Sequence, residues 1–484
     1  MSDAFAMHLQ QPVGIGHTPQ RGHTGAAGGA ACGDVIRISL AIDRSDPSGK
    51  IYDAGFDASG CGASIAAGSA TVALARGAGL LEAARIGADE IASELGGLIP
   101  AKQHAAELAA DALHRALGAA AREAQLAPMA GRVLIAMSGG VDSAVAALIS
   151  MRESKDAIAV TLELWADPEN DAQRSCCSAE SVRFARGLAH GLGLPHFSLD
   201  MRAEFRAGVV EPWLADHAAG LTPYPCVRCN GSVRLDGMLD LAGCLGAQRL
   251  VTGHYARTCV EDEGDLPLLR RALDQRKDQS YALAALSRES LARMRFPLGE
   301  LSKDEVRQIA EREQLPVARR PDSQDLCFLA GTSQRDFLAR HGGMGEREGE
   351  ILDQDGAVLG VHRGAQAFTI GQRHGLGVGG RGPLYVLATD PLSNTVTVGG
   401  RQALATEQVS IRQAVLHQDG ARVDAVKIRY MGRPIACSLA GTPGPGAHTA
   451  LRAQLSQPIE RTAAGQLACL YSGETVVGHG TIAA

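Results

Sequence analysis

The sequence predicts a multidomain α/β protein, and three observations support this. Its 484 residues exceed what a single hydrophobic core ordinarily serves. The middle of the chain alternates short apolar strands with helical segments, and the last third changes to short strands separated by Gly, Asp and Asn turns. We therefore expect a small α+β N-terminal domain, a doubly wound parallel-sheet domain, a small β-rich central domain and a C-terminal β-barrel.

Composition and charge narrow the functional classes. Lys plus Arg number 47 against 53 Asp plus Glu, a net charge of −6, so any nucleic-acid partner must be held by local patches. No run of 18 apolar residues occurs and the start lacks a signal peptide pattern, which predicts a cytoplasmic protein that does not associate with membranes. The odd number of cysteines, 11, favours thiol or metal chemistry over a disulfide framework.

The N-terminal part divides into two predicted segments. Residues 1–23 lack periodicity and are expected to be a mobile tail. Residues 24–127 hold the strand patterns VIRISLAI and IYDAGF, followed by Ala- and Leu-rich helical sequence. Pro128 and Gly131 end that helical pattern and predict a linker.

Residues 128–336 predict the parallel-sheet domain. Strands are expected at VLIAM, IAVTLELW, PHFSLDM and RLVTGHYA, with a helix from Asp142 and another over residues 178–192. The short-strand pattern beyond predicts the central domain at 337–404 and the barrel at 405–484.

A glycine-rich turn joins the first of these strands to its helix. In AMSGGVDSAVAALI, Gly139 and Gly140 allow close approach of the backbone to an anion, and the N–H groups of the turn and first helical turn converge on phosphate oxygens. No G-x-x-x-x-G-K-[ST] motif occurs. GLGVGG at residues 375–380 fits G-x-G-x-x-G but opens no predicted helix, so we expect a loop there. SGGVDS resembles the PP-loop of the ATP pyrophosphatase superfamily, which implies transfer of AMP from ATP.

Three cysteines of this domain are candidates for metal binding or sulfur transfer. Cys226 and Cys229 form a CxxC in a Pro-rich segment expected to be an exposed loop, and Cys327 follows in SQDLCF. A zinc site would need a fourth ligand, for which Cys244 and Cys259 are available. Three thiolates suit an iron–sulfur cluster with one open iron position, and two suit persulfide transfer followed by disulfide formation.

The combination of AMSGGVDS, TPYPCVRCN, VTGHYAR, KDQSYAL, FPLGELSKDEVR, SQDLCF and FTIGQRHGLGVG resembles the bacterial tRNA-specific 2-thiouridylases from about residue 130 to the end. The resemblance implies that the C2 oxygen of the wobble uridine in tRNA is adenylated with ATP and Mg²⁺ and then replaced by sulfur. It also implies an anticodon-loop substrate and a sulfur donor such as a cysteine desulfurase or a sulfur relay protein.

The same resemblance assigns site residues by position. Cys229 matches the family's nucleophilic cysteine, and Cys327 matches the cysteine that carries the persulfide. The residues implied to bind ATP are Ala136, Met137, Ser138, Gly139, Gly140, Val141, Asp142, Ser143, Leu162 and Gly253. The residues implied to contact tRNA are Tyr224, Pro225, Cys226, His254, Lys277, Asp278, Gln279, Arg429, Tyr430 and Gln466, with Tyr224, Pro225 and Cys226 facing the target base.

The sequence departs from part of that family at Cys226, where other members have an Asp. This substitution gives three candidate ligands for a [4Fe–4S] cluster, Cys226, Cys229 and Cys327, so both the cluster route and the persulfide route remain open. The adjacent Cys176 and Cys177 are expected to be a buried thiol pair.

The N-terminal domain resembles the U-type iron–sulfur scaffolds, IscU and the N-terminal part of NifU. The resemblance rests on Cys32, Asp34, Cys61 and His104. The scaffold family has a third cysteine after the histidine, where this chain has Ala105. Two alternatives are expected for this domain. In the first, these four residues bind zinc or a weakly held cluster; in the second, the domain binds no metal and only docks a sulfur donor or stabilises the enzyme.

Three functions compete at this stage. Thiolation of tRNA is expected first. An iron–sulfur assembly or carrier protein with a regulatory PP-loop domain is the alternative from another class. A different PP-loop enzyme, such as an amidating ligase, would lack the thiols at Cys226, Cys229 and Cys327.

Overall fold

The computed structural model describes residues 2–28, 33–154, 156–167, 178–261, 265–321, 326–379 and 382–483. Four folded parts follow one another along the chain, with a parallel sheet in the second, a small sheet in the third and a closed barrel in the fourth. The predicted fold class is confirmed. Cys32, Cys176 and Cys177, named in the sequence predictions, lie outside the described residues.

The N-terminal part packs helices against one face of an antiparallel sheet of order β1-β2-β3. Its elements are α1 (Asp3–Gln10), β1 (His23–Gly28), β2 (Val35–Ile42), β3 (Ile51–Ser59), α2 (Gly62–Ala75), α3 (Leu80–Ala83), α4 (Ala88–Glu94) and α5 (Gln103–Ala121). Alternation in β2 buries Ile36, Ile38 and Leu40 completely, which produces the predicted amphipathic strand.

The mobile tail predicted for residues 1–23 is wrong. The Ser2 hydroxyl accepts a hydrogen bond from Phe5 N and caps α1, and the Phe5 side chain is buried against the domain core. His8 Nδ1 lies 2.8 Å from Ser69 Oγ, and the backbone N–H of Gly16 bonds Phe56 O. The buried Phe5 side chain and the Ser2 cap therefore hold α1 in place, although the segment is too short to show an apolar periodicity in the sequence.

The second part is built on a parallel sheet of order β10-β7-β4-β5-β6 with helices on both faces. In chain order, its elements as far as β7 are β4 (Arg132–Ala136), α6 (Val141–Glu153), β5 (Asp156–Glu163), α7 (Ala179–Gly191), β6 (His196–Asp200), α8 (Arg202–Phe205), α9 (Glu211–Ala218), α10 (Pro225–Arg228), α11 (Leu235–Cys244) and β7 (Arg249–Val251). The rest are β8 (Ala256–Cys259), β9 (Leu268–Arg271), α12 (Ser280–Leu283), α13 (Arg288–Ala292), β10 (Met294–Arg295), α14 (Lys303–Arg312) and α15 (Gln334–Gly342).

The two C-terminal parts are built mainly from strands, short in the third part and up to 15 residues long in the fourth. The third is a four-stranded sheet, β11 (Gly349–Leu352), β12 (Val358–His362), β13 (Tyr385–Asp390) and β14 (Thr395–Gly399). The fourth holds β15 (Ala405–Leu416), β16 (Ala425–Lys427), β17 (Ile435–Leu439), β18 (Gly446–Glu460), β19 (Leu467–Ser472) and β20 (Thr475–Ile482). Pairing of β15 with β20 closes this barrel, and the β8–β9 hairpin joins it through Thr475 and Arg270. The described part of the predicted loop at 375–380 has no regular structure, as expected.

Helix α5 joins the N-terminal part to the parallel sheet. One apolar cluster runs from Ile38 and Leu113 into Phe197 and Leu199 of the edge strand β6. Gly118 on α5 meets β6 so closely that a Cβ there would overlap the Ser198 carbonyl oxygen. The two parts therefore share a continuous core.

We expect Gly118→Ala to destabilise the protein by about 1–3 kcal/mol, because the added methyl forces α5 away from β6. Gly187→Ala is the matched control, since a Cβ on that exposed helical glycine of α7 meets nothing. Removing a helical glycine there should stabilise by about 0.5–1 kcal/mol. Chemical denaturation of the two variants beside the wild type checks both signs, and equal midpoints would contradict the close approach.

Candidate nucleotide and thiol site

The glycine-rich turn forms the start of α6 at the carboxyl end of β4. Gly139 has φ +72°, a conformation that favours glycine, and Gly140 is the residue that precedes the helix. The Ser143 hydroxyl accepts from Ser138 N at 3.2 Å and donates to Gly140 O at 3.0 Å. The turn is held by its own side chain, and the first N–H groups of α6 with the helix dipole form an anion-binding end.

The Asp142 carboxylate lies in the first turn of α6 and is bound by two side chains. Lys303 Nζ contacts its two oxygens at 2.7 and 2.9 Å, and the Tyr255 hydroxyl donates at 2.8 Å. A negative charge at an anion-binding helix start opposes phosphate binding, so the Lys303 ammonium offsets it. Sequence reasoning missed Lys303 and Tyr255 as site residues, although both lie in the motifs SKDEVR and VTGHYAR.

Gly253 lies directly against the turn. A Cβ at this position would lie 2.8 Å from Asp142 C and 2.8 Å from Ser143 N, so only glycine allows this approach. Leu162 is buried near the carboxyl end of β5, and the neighbouring Thr161 hydroxyl donates to Met137 O at 2.9 Å. The structure thus brings the residues predicted from Ala136 to Ser143 together with Leu162 and Gly253 at one edge of the sheet.

Residues 225–230 of the segment TPYPCVRCN are helical, so the exposed loop predicted around the two cysteines is wrong. Pro225 occupies the first helical position, where its missing N–H costs nothing, and α10 continues through a π-helical segment, Cys229–Arg234, into α11. Cys226 is half-buried and Cys229 is 8% exposed. Pro225, which together with Pro223 suggested a loop, instead starts a helix whose π segment begins at the second cysteine.

Two tyrosines, Tyr224 and Tyr430, lie next to the Cys226 thiol, and a third, Tyr281, packs against them. Tyr224 hydrogen-bonds to the thiol, and the Tyr224 ring stacks on Tyr430 with centroids 5.6 Å apart and planes at 22°. Tyr281 lies 5.4 Å from Tyr224 and 6.3 Å from Tyr430. Burial raises the pKa of the Cys226 thiol, while the Tyr224 hydrogen bond and the Arg234 charge oppose that shift. The net rise keeps this thiol protonated at neutral pH.

Cys327 starts the short 3₁₀ helix Cys327–Leu329. The next ring, Phe328, lies 6.0 Å from Phe205 and 5.3 Å from Trp213. These rings and Cys229 belong to one apolar cluster, against which the Cys327 side chain packs. That cluster extends from Phe5 of the N-terminal part to Val476 of the barrel, so it places Cys229 and Cys327 in one core without placing them side by side.

The three sulfurs of Cys226, Cys229 and Cys327, all described residues, do not lie within 4.8 Å of one another. Tetrahedral zinc holds its sulfur ligands about 3.8 Å apart. The arrangement is therefore not a zinc site in this conformation. A four-iron cluster spaces its thiolates more widely than a single zinc ion does, so this result does not bear on a cluster.

The predicted tRNA-contact residues of the 277–279 segment differ in exposure. Lys277 and Gln279 are half-buried, whereas Asp278 is buried. Asp278 accepts from Ala272 N and from the Ser280 hydroxyl, and lies 3.7 Å from both Arg271 and Lys427. Asp278 thus sits below the surface. Gln279 accepts from Tyr255 N and reaches the Tyr430 hydroxyl, which links the tyrosines to the nucleotide turn.

Gln466 and Arg429 lie on the barrel side of the thiols. Gln466 Nε2 donates to Thr222 O at 2.5 Å, and Thr222 N donates to Ala464 O, so the barrel holds the chain just before Tyr224. Arg429 is exposed and its Nε donates to Thr462 Oγ1 at 3.1 Å. Both side chains border the predicted base-facing segment.

The N-terminal part holds a second cluster of possible ligands. Donor atoms of Asp34, Cys61 and His104 all lie within 4.8 Å of one another, the one such group among the residues that the structure describes. Asp34 is buried and accepts from Cys61 N and the Ser64 hydroxyl, and hydrogen bonds lower its pKa. Cys61 is exposed, which leaves the thiol accessible. Ala105 is completely buried.

Four family descriptions match the chain in order. They are the NifU-like N terminal domain at residues 2–125, the tRNA methyl transferase HUP domain at 131–331, the tRNA methyl transferase PRC-barrel domain at 335–400 and the aminomethyltransferase beta-barrel domain at 402–482. The bifunctional protein NifU/MnmA of Rubrobacter xylanophilus is 41% identical over 98% of this chain and 97% of that protein. The chain belongs to the bifunctional NifU/MnmA family. Both predicted family resemblances are confirmed.

Other relatives match one part. The tRNA-specific 2-thiouridylase MnmA of Salinispora tropica is 43% identical over 73% of this chain and 99% of that protein. Among solved structures, the putative iron–sulfur cluster assembly scaffold protein of Fervidobacterium islandicum is 17% identical over 24% of this chain and 96% of that one, with TM-score 0.20. The U34-tRNA thiolase NcsA of Methanococcus maripaludis is 16% identical over 41% and 61%, with TM-score 0.26. Among the described residues, no helix has the length and apolarity to cross a bilayer.

His254, half-buried with its ring 6.5 Å from that of Phe296, provides a pH test. Burial, with a contribution from Arg234, lowers its pKa to about 3. The unfolded chain, with a histidine pKa of 6.5, takes up the proton first, so His254 reduces stability progressively as pH falls from 6.5 towards 3. We expect the His254 ring protons in NMR to show no titration above pH 5, and Arg234→Gln to raise the midpoint. A midpoint near 6.5 would contradict this environment.

Proposed function

We propose that the chain is an ATP-dependent tRNA-uridine 2-sulfurtransferase, acting in the cytoplasm, that replaces the C2 oxygen of the wobble uridine with sulfur. The observation that carries this function is the 43% identity to a complete 2-thiouridylase together with the phosphate turn and the cysteines Cys229 and Cys327 in one domain. The gathering of the nucleotide residues at the sheet's carboxyl edge supports it, since open α/β sheets bind ligands there.

The nucleotide turn supplies the adenylation step. Ala136–Ser143 hold ATP with Leu162 and Gly253, and Mg²⁺ accompanies the phosphates. The uridine C2 oxygen attacks the α-phosphorus, the bond to the β-phosphate oxygen breaks, and pyrophosphate leaves. N–H groups at the start of α6 stabilise the charge that develops on the phosphate oxygens.

Sulfur transfer needs two thiols in sequence. A persulfide on Cys327, supplied by a cysteine desulfurase or sulfur relay protein, attacks C2 through its terminal sulfur. The Cys229 thiolate then attacks the Cys327 Sγ, and the electron pair of the broken S–S bond stays with the sulfur on C2. As the C=S bond forms, AMP leaves, and the Cys229–Cys327 disulfide awaits reduction by a cellular thiol.

The tyrosine group supports recognition of an unpaired base. Tyr224, Pro225 and Cys226 face the target uridine, and aromatic stacking is how single-stranded RNA is commonly read. The exposed Arg429 and half-buried Lys277 supply cations for the anticodon-loop phosphates, with His254, Gln279 and Tyr430 beside them. Asp278 and Gln466 support this surface indirectly, because each is hydrogen-bonded within the protein, Asp278 to the Ser280 hydroxyl and Gln466 to Thr222 O.

The donor set also fits an iron–sulfur cluster. Cys226 and Cys229 are three apart on one continuous helical stretch and so share a face, and Cys327 begins a short helix of the same domain. Cys226, Cys229 and Cys327 would hold a [4Fe–4S] cluster, which when bound supplies one open iron position for sulfide. A buried thiol with a raised pKa at Cys226 is costly to ionise without such a cation, which supports this role.

The NifU-like domain supports a metal site of N, O and S donors. Asp34, Cys61 and His104 present their ligand atoms to one point, and Cys32 precedes them in sequence. Ala105 stands where the scaffold family has a cysteine ligand, and the loss of that thiolate favours bound zinc over a cluster that is assembled and released. The iron–sulfur carrier alternative is not favoured, because 73% of the chain aligns with a whole 2-thiouridylase.

The proposed function predicts separable half-reactions. Purified protein with ATP, a persulfide donor and unmodified tRNA should form AMP, pyrophosphate and 2-thiouridine. Cys229→Ser and Cys327→Ser should abolish thiouridine but retain tRNA-dependent pyrophosphate formation, because neither thiol acts in adenylation. Cys259→Ser, on β8, is the control and should match the wild type. Thiouridine formation by the Cys327 variant would exclude the persulfide route.

Anaerobic metal analysis distinguishes the two metal proposals. Cys226→Ala should lower bound iron and the visible absorption of the cluster while leaving zinc unchanged, because it removes one of three cluster thiolates. Cys61→Ser should lower zinc and leave iron unchanged. An iron-free wild type with full activity would reject the cluster and leave the persulfide route intact.

A further inference from the structure

The NifU-like domain contacts the nucleotide site through helix α7, which lies between α5 and the phosphate turn. The Asp111 carboxylate on α5 is buried and pairs with two arginines of α7, Arg183 Nε at 2.6 Å and Arg186 Nη2 at 2.7 Å. Arg186 is itself buried. A buried guanidinium requires its carboxylate partner, so this pair fixes α7 on α5.

Phe184, between these two arginines in sequence, faces the opposite way, towards the turn. A Cβ at Gly139 would lie 3.3 Å from its ring. The Arg320 guanidinium stacks on the Phe184 ring at 4.8 Å from the centroid and donates from Nη1 to Gly139 O at 3.0 Å. Gly139 has the positive φ that shapes the turn, so its carbonyl direction depends on this contact.

A second attachment acts on the neighbouring strand. Arg115 on α5 binds Glu163 at the carboxyl end of β5 with two hydrogen bonds of 2.8 Å. Glu163 is buried and directly follows Leu162, which is among the residues proposed to bind ATP. Both attachments therefore start on one helix of the NifU-like domain and end beside the nucleotide.

We propose that Asp111 is a positioning residue for adenylation, which acts through Arg183, Arg186, Phe184 and Arg320 to hold the Gly139 turn in its phosphate-binding shape. The NifU-like domain is thereby a structural part of the nucleotide site, independently of any metal that it holds. This inference rests on the proposed nucleotide site at Ser138–Ser143.

The test measures binding of α,β-methylene-ATP and of unmodified tRNA to the full chain. Asp111→Asn keeps the shape but removes the charge, and should weaken nucleotide binding about tenfold with tRNA binding unchanged. Arg122→Met is the matched control, because Arg122 joins the end of α5 to the exposed Glu204 and does not touch α7. It should change nucleotide affinity by less than about twofold.

A double-mutant cycle separates positioning from general destabilisation. Phe184→Leu should weaken nucleotide binding to a similar extent, and Asp111→Asn should add little further loss in the Phe184→Leu background. Nucleotide affinity unchanged in Asp111→Asn, additive losses in the cycle, or equal losses for tRNA would each overturn the inference. If Asp111→Asn does not fold, unchanged affinity in Phe184→Leu overturns it instead. A wild type that binds no nucleotide overturns the proposed function itself.

Discussion

Burial of α5 between two sheets is the interaction on which the arrangement of this molecule depends. The helix is rich in alanine and carries Gly118 where it meets β6, so the backbones approach closely and apolar surface is removed from both sheets at once. Its interface also contains ion pairs, Asp111 with Arg183 and Arg186 and Arg115 with Glu163, while the buried His114 ring bonds two backbone carbonyls. Small apolar residues provide the contact, and buried charges define its register.

At Cys226, as along α5, the packing of the surroundings determines which polar group can be buried. A carboxylate at residue 226, between Tyr224 and Tyr430, would be ionised and would require strong hydrogen bonds, whereas a thiol is readily buried as a small, weakly polar group. The same burial that makes Cys226 acceptable there raises its pKa and suppresses the thiolate. A cationic partner reverses that preference, which is why the substitution at this one position bears on the choice between the two sulfur routes.

The sequence predicted what depends on local pattern. Periodicity located the parallel strands and the barrel, and the glycine spacing located the Gly139–Gly140 turn, because these features are set by neighbouring residues. It failed where a tertiary contact decides the outcome. Phe5 anchors a helix in a segment that lacks periodicity, and Pro225 starts a helix at Cys226 whose preceding segment the barrel holds through Gln466. Arg320 could not be found, since its role follows only from its stack on Phe184.

Rigid docking also constrains how the two sulfur-handling parts of the chain cooperate. Fusion raises the effective concentration of one site at another only when the connecting geometry lets them meet. Here the segment after α5 is not a loose tether, because Leu126 is buried and its N–H bonds Cys244 O of the parallel-sheet domain. The exposed Cys61 therefore keeps one position relative to Cys229 and Cys327 while the α5 interface is intact. A flexing delivery arm is incompatible with that interface, so the docked NifU-like domain contributes through its contacts with the parallel-sheet domain.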